Sequence, residues 1–304
     1  MAAAKRQNLR LELPSDAISV GASLTFPVFI QRGDPLDSYY QVDHKDSGGH
    51  GVVYRVVLRD DSVKAVKVIN AAPRQTAKIL EVLKEAEIGL QMKHPHLLPI
   101  QEVWYDGTRF FLVMDLIEPL TKENLPQSLK DRLALFQQLV SAVAHLHSIG
   151  ILHRDIKVQN CGLDGSQKLV LFDFGEACKL SDQCTDCVGT AIHMAPEVLV
   201  NCQYSDKSEI WALMSFLIEM LTGKSMILHF FLAGNASRIA VESKISKLLE
   251  PLSEPPIPEV FKTDKSRAGI LLLQILGRGL AINPAERLTL PELENLLQEL
   301  IALL

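Results

Sequence analysis

"ILHRDIKVQN", residues 151–160, places His153, Arg154, Asp155, Lys157 and Asn160 within ten positions, directly behind a long amphipathic stretch. Packing does not ask for such a run. Polar groups lose free energy on burial unless they are partnered, so the partners must lie elsewhere in the chain or in a ligand. Further on comes "LVLFDFGEA" (169–177), an apolar strand that ends in Asp173-Phe174-Gly175. Glycine lets the backbone turn there, and the Asp173 carboxylate suits a hard cation such as Mg²⁺. Asn160 offers an amide oxygen to the same metal from a second direction. Asp155 is then left to accept a proton from a substrate hydroxyl, and Lys157 to neutralise a transferring phosphate. Either aspartate alone reads as an ordinary loop carboxylate. The set at this spacing does not.

Upstream, "KDSGGHGVVY" (45–54) sits between two strand-like runs. Gly48, Gly49 and Gly51 leave room for backbone N–H groups to approach phosphate oxygens, although three glycines are also a common hairpin composition. Next, "AVKV" sets Lys67 between Val66 and Val68. A lysine among strand valines needs a counter-charge if its face is covered. The helix expected over 76–92 offers Glu81, Glu85 and Glu87, and one of these can reach it.

Bulk properties narrow the class. Of the 304 residues, 47% are hydrophobic and 22% charged, which excludes global disorder. The net charge of −5 gives no support to a nucleic-acid partner, whose phosphates want a basic face. No stretch approaches the roughly 18 unbroken apolar residues of a membrane span. The best candidates, "MILHFFLAG" (226–234) and "GILLLQILG" (269–277), are short and interrupted. The N-terminus has no apolar core behind its basic residues, and Glu12 and Asp16 disfavour an organelle signal. Cys161, Cys178, Cys184, Cys187 and Cys202 form an odd set in one part of the chain. They read as reduced thiols and so as a cytoplasmic protein. The lone C-x-x-C of Cys184 and Cys187 lacks a second pair or histidines at zinc-ligand spacing.

Residues 1–39 read as an N-terminal extension with a short strand in "LTFPVFI" (24–30). Strands follow over "GVVYRVVL" (51–58) and "VKAVKVI" (63–69), with "RDDS" as the turn between them. Helical spacing over 76–92 stops at Pro95, and "EVWYD" with "RFFLVMDLI" makes a hairpin around Asp106-Gly107. The character then changes. "SLKDRLALFQQLVSAVAHLH" (128–147) is a long amphipathic helix, and further helices are expected over 206–222, near 237–250, 266–280 and 290–303. Alternating βαβ units are absent, which disfavours a doubly wound nucleotide fold.

The Gly-rich turn, AVKV, the glutamate helix, HRDIKxxN, DFG and "GTAIHMAPE" (189–197) occur here in one order. In that order they resemble the eukaryotic-type protein kinases of the serine/threonine class, over about residues 40–300. The resemblance implies an α+β, two-lobed protein kinase fold. A small β-rich N-lobe with one main helix would span about 40–116, and a larger, mostly α-helical C-lobe about 117–303. It implies ATP and Mg²⁺ as cofactors and protein substrates with Ser/Thr hydroxyls. Lys67 would hold the α/β-phosphates with Glu85 as its partner. Asp155 would be the catalytic base assisted by Lys157, and Asn160 and Asp173 would hold the metal. Gly48, Gly49, Gly51, Val53 and Ala65 would line the nucleotide site. Met114 would guard the back of the adenine pocket, with Asp115, Leu116 and Ile117 as the hinge. Thr190 and Glu197 would shape the peptide platform, with Arg287 of "NPAERLT" as the ion-pair partner of Glu197. Arg154 would receive a phosphate on the activation segment, where Ser181 and Thr185 are the hydroxyls available.

Four positions depart from the family pattern. Asp46 stands at the first glycine of the loop. Gly89 replaces a larger side chain one turn after Glu85, which implies lost packing and a mobile helix. Glu209 stands where the family has Asp, and His193 replaces a tyrosine of the platform. None removes a group that does chemistry, so an active kinase is the leading expectation. A pseudokinase scaffold that binds partners without turnover is the alternative. In a bacterial host such a kinase would also suit delivery into another cell.

Overall fold

The computed structural model describes residues 29–30, 36, 41–48, 51–182, 184–226 and 254–304. Most of the N-terminal extension, Gly49, His50, the side chain of Asp46 and the helix expected near 237–250 lie outside the described residues. The chain divides into two compact units. One comprises residues up to Glu118 together with Phe172–Gly175, and the other comprises the remainder.

The first unit is built on one six-stranded sheet. Its strands are β1 (Phe29–Ile30), β2 (Gln41–Gly48), β3 (Gly51–Val57), β4 (Val63–Asn70), β5 (Ile100–Tyr105) and β6 (Arg109–Asp115), in the order β1-β5-β6-β4-β3-β2. All neighbours are antiparallel except β1, which runs parallel to β5. Helix α1 (Thr76–Gln91) follows β4. Alternation along β4 sends Val66 and Val68 to one face, where they pack with Val56, Phe111 and Val113. Ala65, Lys67 and Ile69 go to the other. There Ile69 packs with Ile100, Val103, Phe110 and Leu112 under the Ile79, Val82, Leu83 and Ala86 stripe of α1. Lys67 is thereby placed on the helix-covered face, which is why its counter-charge comes from α1. Gly51 opens β3 at φ +133°, and a Cβ there would lie 2.6 Å from the Val68 carbonyl oxygen. Only glycine fits that approach.

The second unit is mostly helical: α2 (Leu129–Ser148), α3 (Pro196–Asn201), α4 (Asp206–Thr222), α5 (Arg267–Gly279) and α6 (Leu290–Leu303). Ser128 caps α2 by accepting the Asp131 N–H at 3.1 Å, and His145 and His147 occupy its last turn, where the dipole favours positive charge. Helix α4 opens on a capping box of Ser205 and Ser208 and closes on Gly223 at φ +71°. Buried on nearly every side, α4 is the core helix of this unit and packs against α2 and α5. Short strand pairs lie alongside. β7 (Ile151–Leu152) pairs with β10 (Cys178–Lys179), and β8 (Cys161–Leu163) pairs with β9 (Leu169–Leu171).

The expectation of reduced thiols is corrected. Cys178 is bonded to Cys184 and Cys187 to Cys202, leaving Cys161 as the free, buried thiol. Their Cα atoms lie 6.0 and 5.0 Å apart, within the span a disulfide bridges. The C-x-x-C cysteines do not meet each other. The fold carries each to a cysteine of another element, a pairing that spacing does not reveal. The cytoplasmic assignment that rested on reduced thiols loses that support.

The expected packing loss at Gly89 is also corrected. Gly89 is buried, and a Cβ there would lie 2.5 Å from Ile100 Cδ1 and 2.7 Å from its Cγ1. Ile100 fills the space that the missing side chain would take. A larger residue would gain about 1 kcal/mol of helix propensity but overpack against a stiff β-branched neighbour at about 1–3 kcal/mol. Gly89→Leu is therefore expected to lower the urea midpoint at unchanged m. In an Ile100→Ala background the same substitution should raise it, because the cavity then accepts the leucine.

Candidate active site

In the first unit, three groups meet at one ammonium. Lys67 Nζ donates to Glu85 Oε1 at 2.7 Å and to Asp173 Oδ1 at 2.9 Å. Glu85 interrupts the apolar stripe of α1 and is buried, so an unpaired carboxylate there would be costly. The other two glutamates of the helix behave differently. Glu81 pairs with Lys78, and Glu87 makes no ion pair with Lys67. Burial alone would push the Lys67 ammonium down, and the Glu85 and Asp173 carboxylates hold it above the usual lysine value. Asp173 is left-handed at φ +67°, a conformation that aspartate tolerates better than most residues. Strand register aligns the remaining candidates of this unit. Val53 stands opposite Lys67, and Ala65 opposite Met114. Val53, Ala65, Lys67 and Met114 thus share one face of the sheet. Asp115 ends β6 with its carboxylate 2.5 Å from Lys64 Nζ, and Leu116 and Ile117 follow it. Gly48 pairs with Gly51 at the tip of the β2–β3 hairpin.

In the second unit the centre is Asp155, which is buried. Its Oδ2 accepts from Lys157 Nζ at 2.7 Å and from Asn160 Nδ2 at 2.9 Å, and its Oδ1 accepts the Thr190 hydroxyl at 2.7 Å. Lys157 also donates to Thr190 Oγ1 at 2.8 Å. Burial pushes this carboxyl up, but the Lys157 ammonium and the Thr190 hydroxyl more than offset it, and Asp155 sits below the usual aspartate value. Asn160 spends its Nδ2 on the Asp155 carbonyl, at 2.8 Å, as well as on the carboxylate. Its amide oxygen is the atom left to meet a cation. Asn160 in this unit and Asp173 in the first each offer oxygen, the donor type that Mg²⁺ takes.

Beneath the loop lies Glu209, which is 2% exposed. Its Oε1 accepts the Arg154 N–H at 2.7 Å, and its Oε2 lies 2.6 Å from His147 Nε2. Arg154 is left-handed at φ +64°, a strained state for a long side chain, and this bond helps hold it. Burial pushes His147 down, and Glu209, with Asp206 behind it, raises it above the ordinary histidine value. Sequence reasoning did not single out His147; its place in the last turn of α2 was the available signal. His193 is buried with Nδ1 2.9 Å from Ser215 Oγ and Nε2 3.5 Å from Glu219 Oε2. Arg287 makes a two-pronged pair with Glu197 at 2.6 and 2.8 Å and donates to the Ala281 and Lys207 carbonyls. Its guanidinium lies 5.1 Å over the Trp211 ring. A fully buried cation is thus satisfied on every side.

Arg154 is committed to backbone. Its Nε donates to the Glu176 carbonyl at 2.6 Å, and the guanidinium lies 5.0 Å over the Tyr204 ring. Tyr204 was another residue that the sequence did not flag.

Comparison with known proteins gives the family. Residues 42–299 match the family described as protein kinase domain. The chain is 35% identical over 196 residues to the serine/threonine-protein kinase fused of Drosophila melanogaster, covering 60% of this chain and 24% of that protein. It is 30% identical over 282 residues to the mouse serine/threonine-protein kinase Nek4, covering 87% of this chain and 32% of that protein. It is 28% identical over 268 residues to the serine/threonine-protein kinase PknD of Mycobacterium tuberculosis, covering 84% and 38%. The chain therefore spans between a quarter and two fifths of the length of these relatives. With the match running from β2 into α6, the chain belongs to the protein kinase domain family.

Proposed function

We propose that this chain is a serine/threonine protein kinase that transfers the γ-phosphoryl group of ATP to hydroxyls of protein substrates. The observation that carries the reading is the Asp155 carboxylate, which holds a hydroxyl at 2.7 Å on one oxygen and an ammonium at 2.7 Å on the other. A substrate hydroxyl needs both groups: an acceptor for its proton and a cation for the phosphate it attacks. Held below the usual aspartate value, Asp155 is ionised at neutral pH, and its oxygens accept hydrogen bonds. Lys67, pinned by Glu85, serves the α/β-phosphates. Val53, Ala65 and Met114 line the adenine face, Asp115 and Ile117 offer backbone to its edge, and Gly48 and Gly51 admit the phosphates. Asn160 and Asp173 hold Mg²⁺, which neutralises charge on the phosphate oxygens when bound. Protein substrates and ATP follow from the family. Among the described residues no helix is long and apolar enough to cross a membrane.

Labelled ATP with Mg²⁺ should transfer phosphate to this chain or to a generic basic protein. Asp155→Asn should lower the rate by about 10²–10⁴-fold. Lys67→Met should lower it while leaving thermal unfolding cooperative. Nucleotide binding without transfer in the wild type would instead identify a scaffold.

Glu209 should prove a positioning residue. Glu209→Ala leaves the Arg154 N–H and His147 without their acceptor inside the fold, and should destabilise by about 3–5 kcal/mol. The His147 contribution has a definite sign. Its folded value lies above its ordinary 6.5, so its stabilisation is full below that pH and lost as pH rises through the folded value. The stability gap between wild type and His147→Ala, read by urea unfolding, should therefore shrink as pH rises from the ordinary histidine value through the raised folded value.

A further inference from the structure

The stretch from Asp186 to Thr190 is moored at every position. Arg154 Nη1 donates to the Asp186 carbonyl at 3.4 Å. The Tyr204 hydroxyl accepts the Val188 N–H at 3.0 Å and donates to the Val188 carbonyl. Gly189, at φ +97°, lies so close that a Cβ would stand 2.4 Å from the Arg154 carbonyl oxygen. Thr190 then bonds both Asp155 and Lys157. The one covalent mooring is at Cys187, whose partner Cys202 terminates α3 in a left-handed conformation at φ +54°.

We infer that Cys187–Cys202 is a thiol–disulfide exchange site whose state sets the position of Val188–Thr190, and through Thr190 the geometry at Asp155. The inference rests on reading Asp155 and Thr190 as the substrate-facing groups of a protein kinase. Access selects this pair. Cys187 is exposed and Cys202 half-buried, whereas in the other disulfide Cys178 is buried and Cys184 half-buried, so only the first pair offers an exposed cysteine. The reactant is a dithiol. Its thiolate attacks one sulfur, the protein S–S bond breaks and a mixed disulfide forms. The second thiolate of the dithiol then displaces the cysteine. Two electrons and two protons pass to Cys187 and Cys202, and the dithiol leaves as a cyclic disulfide. Cys161 does not compete, because it is buried and burial pushes its thiol up, away from the reactive thiolate.

Only two residues separate Cys187 from Thr190, so freedom gained at the cysteine is transmitted with little loss. Tyr204 and Arg154 still moor the reduced stretch. The expected response is a graded loss of alignment. Displacements on the scale of 1 Å near a reacting group cost up to about 10²-fold.

The test uses the full chain, equilibrated in air or treated with dithiothreitol that is then removed. Thiols are counted by mass after N-ethylmaleimide labelling, amide exchange is followed over 184–202, and peptide phosphorylation is measured. Reduction should expose Cys187 and Cys202 to label, speed exchange at Val188–Thr190 and lower kcat/KM by about ten- to a hundredfold. The Cys187→Ser/Cys202→Ser variant should match the reduced wild type and ignore reductant, whereas Cys178→Ser/Cys184→Ser should still respond. Exchange that responds without any transfer in either state supports the exchange site and refutes the kinase reading. Transfer and exchange that are both indifferent to reductant leave the kinase reading intact and overturn this inference. Labelling of Cys187 and Cys202 in the air-equilibrated protein overturns it as well.

Discussion

A single buried carboxylate underlies the loop that carries Asp155. Glu209 lies on the core helix of the second unit, almost without solvent, and must place both oxygens on donors. One goes to the backbone of Arg154 and the other to the ring of His147. The first bond holds Arg154 in a backbone state that its side chain disfavours. Arg154 in that state precedes Asp155 and carries its guanidinium to Glu176 and Asp186. The acceptor geometry of Asp155 and the anchoring of Glu176 and Asp186 therefore share one origin. Loss of the carboxylate would leave polar groups unpaired in a region where water does not reach.

Much of this was legible in the chain. Period-two valines around Lys67 and a 3.6-period stripe over 76–92 placed the lysine against that helix, and the structure joins it to Glu85. The long helix before Gly150 and the capped helices at 206–222 and 290–303 were equally plain, because their caps are local signals. The short α3 was not foreseen. Six residues carry too little periodicity, and Pro196 at its first turn is the main cue. Tyr204 and His147 were missed for a related reason. Each is defined by a partner far along the chain, Val188 or Glu209, and no local pattern encodes that meeting.

The cysteines show the same limit from the other side. Five thiols in one region, read by count and spacing, suggested reduced chemistry. Disulfide formation depends on Cα separation and direction, which tertiary structure fixes. Strand β10 sets the position of Cys178 through its pairing with Leu152, and the end of α3 sets that of Cys202. Neither constraint is visible until both elements are folded.

Three of the four departures from the family pattern, Gly89, Glu209 and His193, follow one rule within these units: each arrives with a neighbour that absorbs it. Gly89 gives up a side chain, and Ile100 occupies the volume. Glu209 is one methylene longer than the residue expected there, and its carboxylate spans from Arg154 to His147. His193 replaces a phenol, and Ser215 Oγ meets its Nδ1 at 2.9 Å. An unmatched change in a packed interior would leave a void or an orphaned polar group, and either costs stability. Matched changes cost little and leave the surrounding geometry in place. Gly89, Glu209 and His193 are in this way accommodated by the packing of the units that hold them.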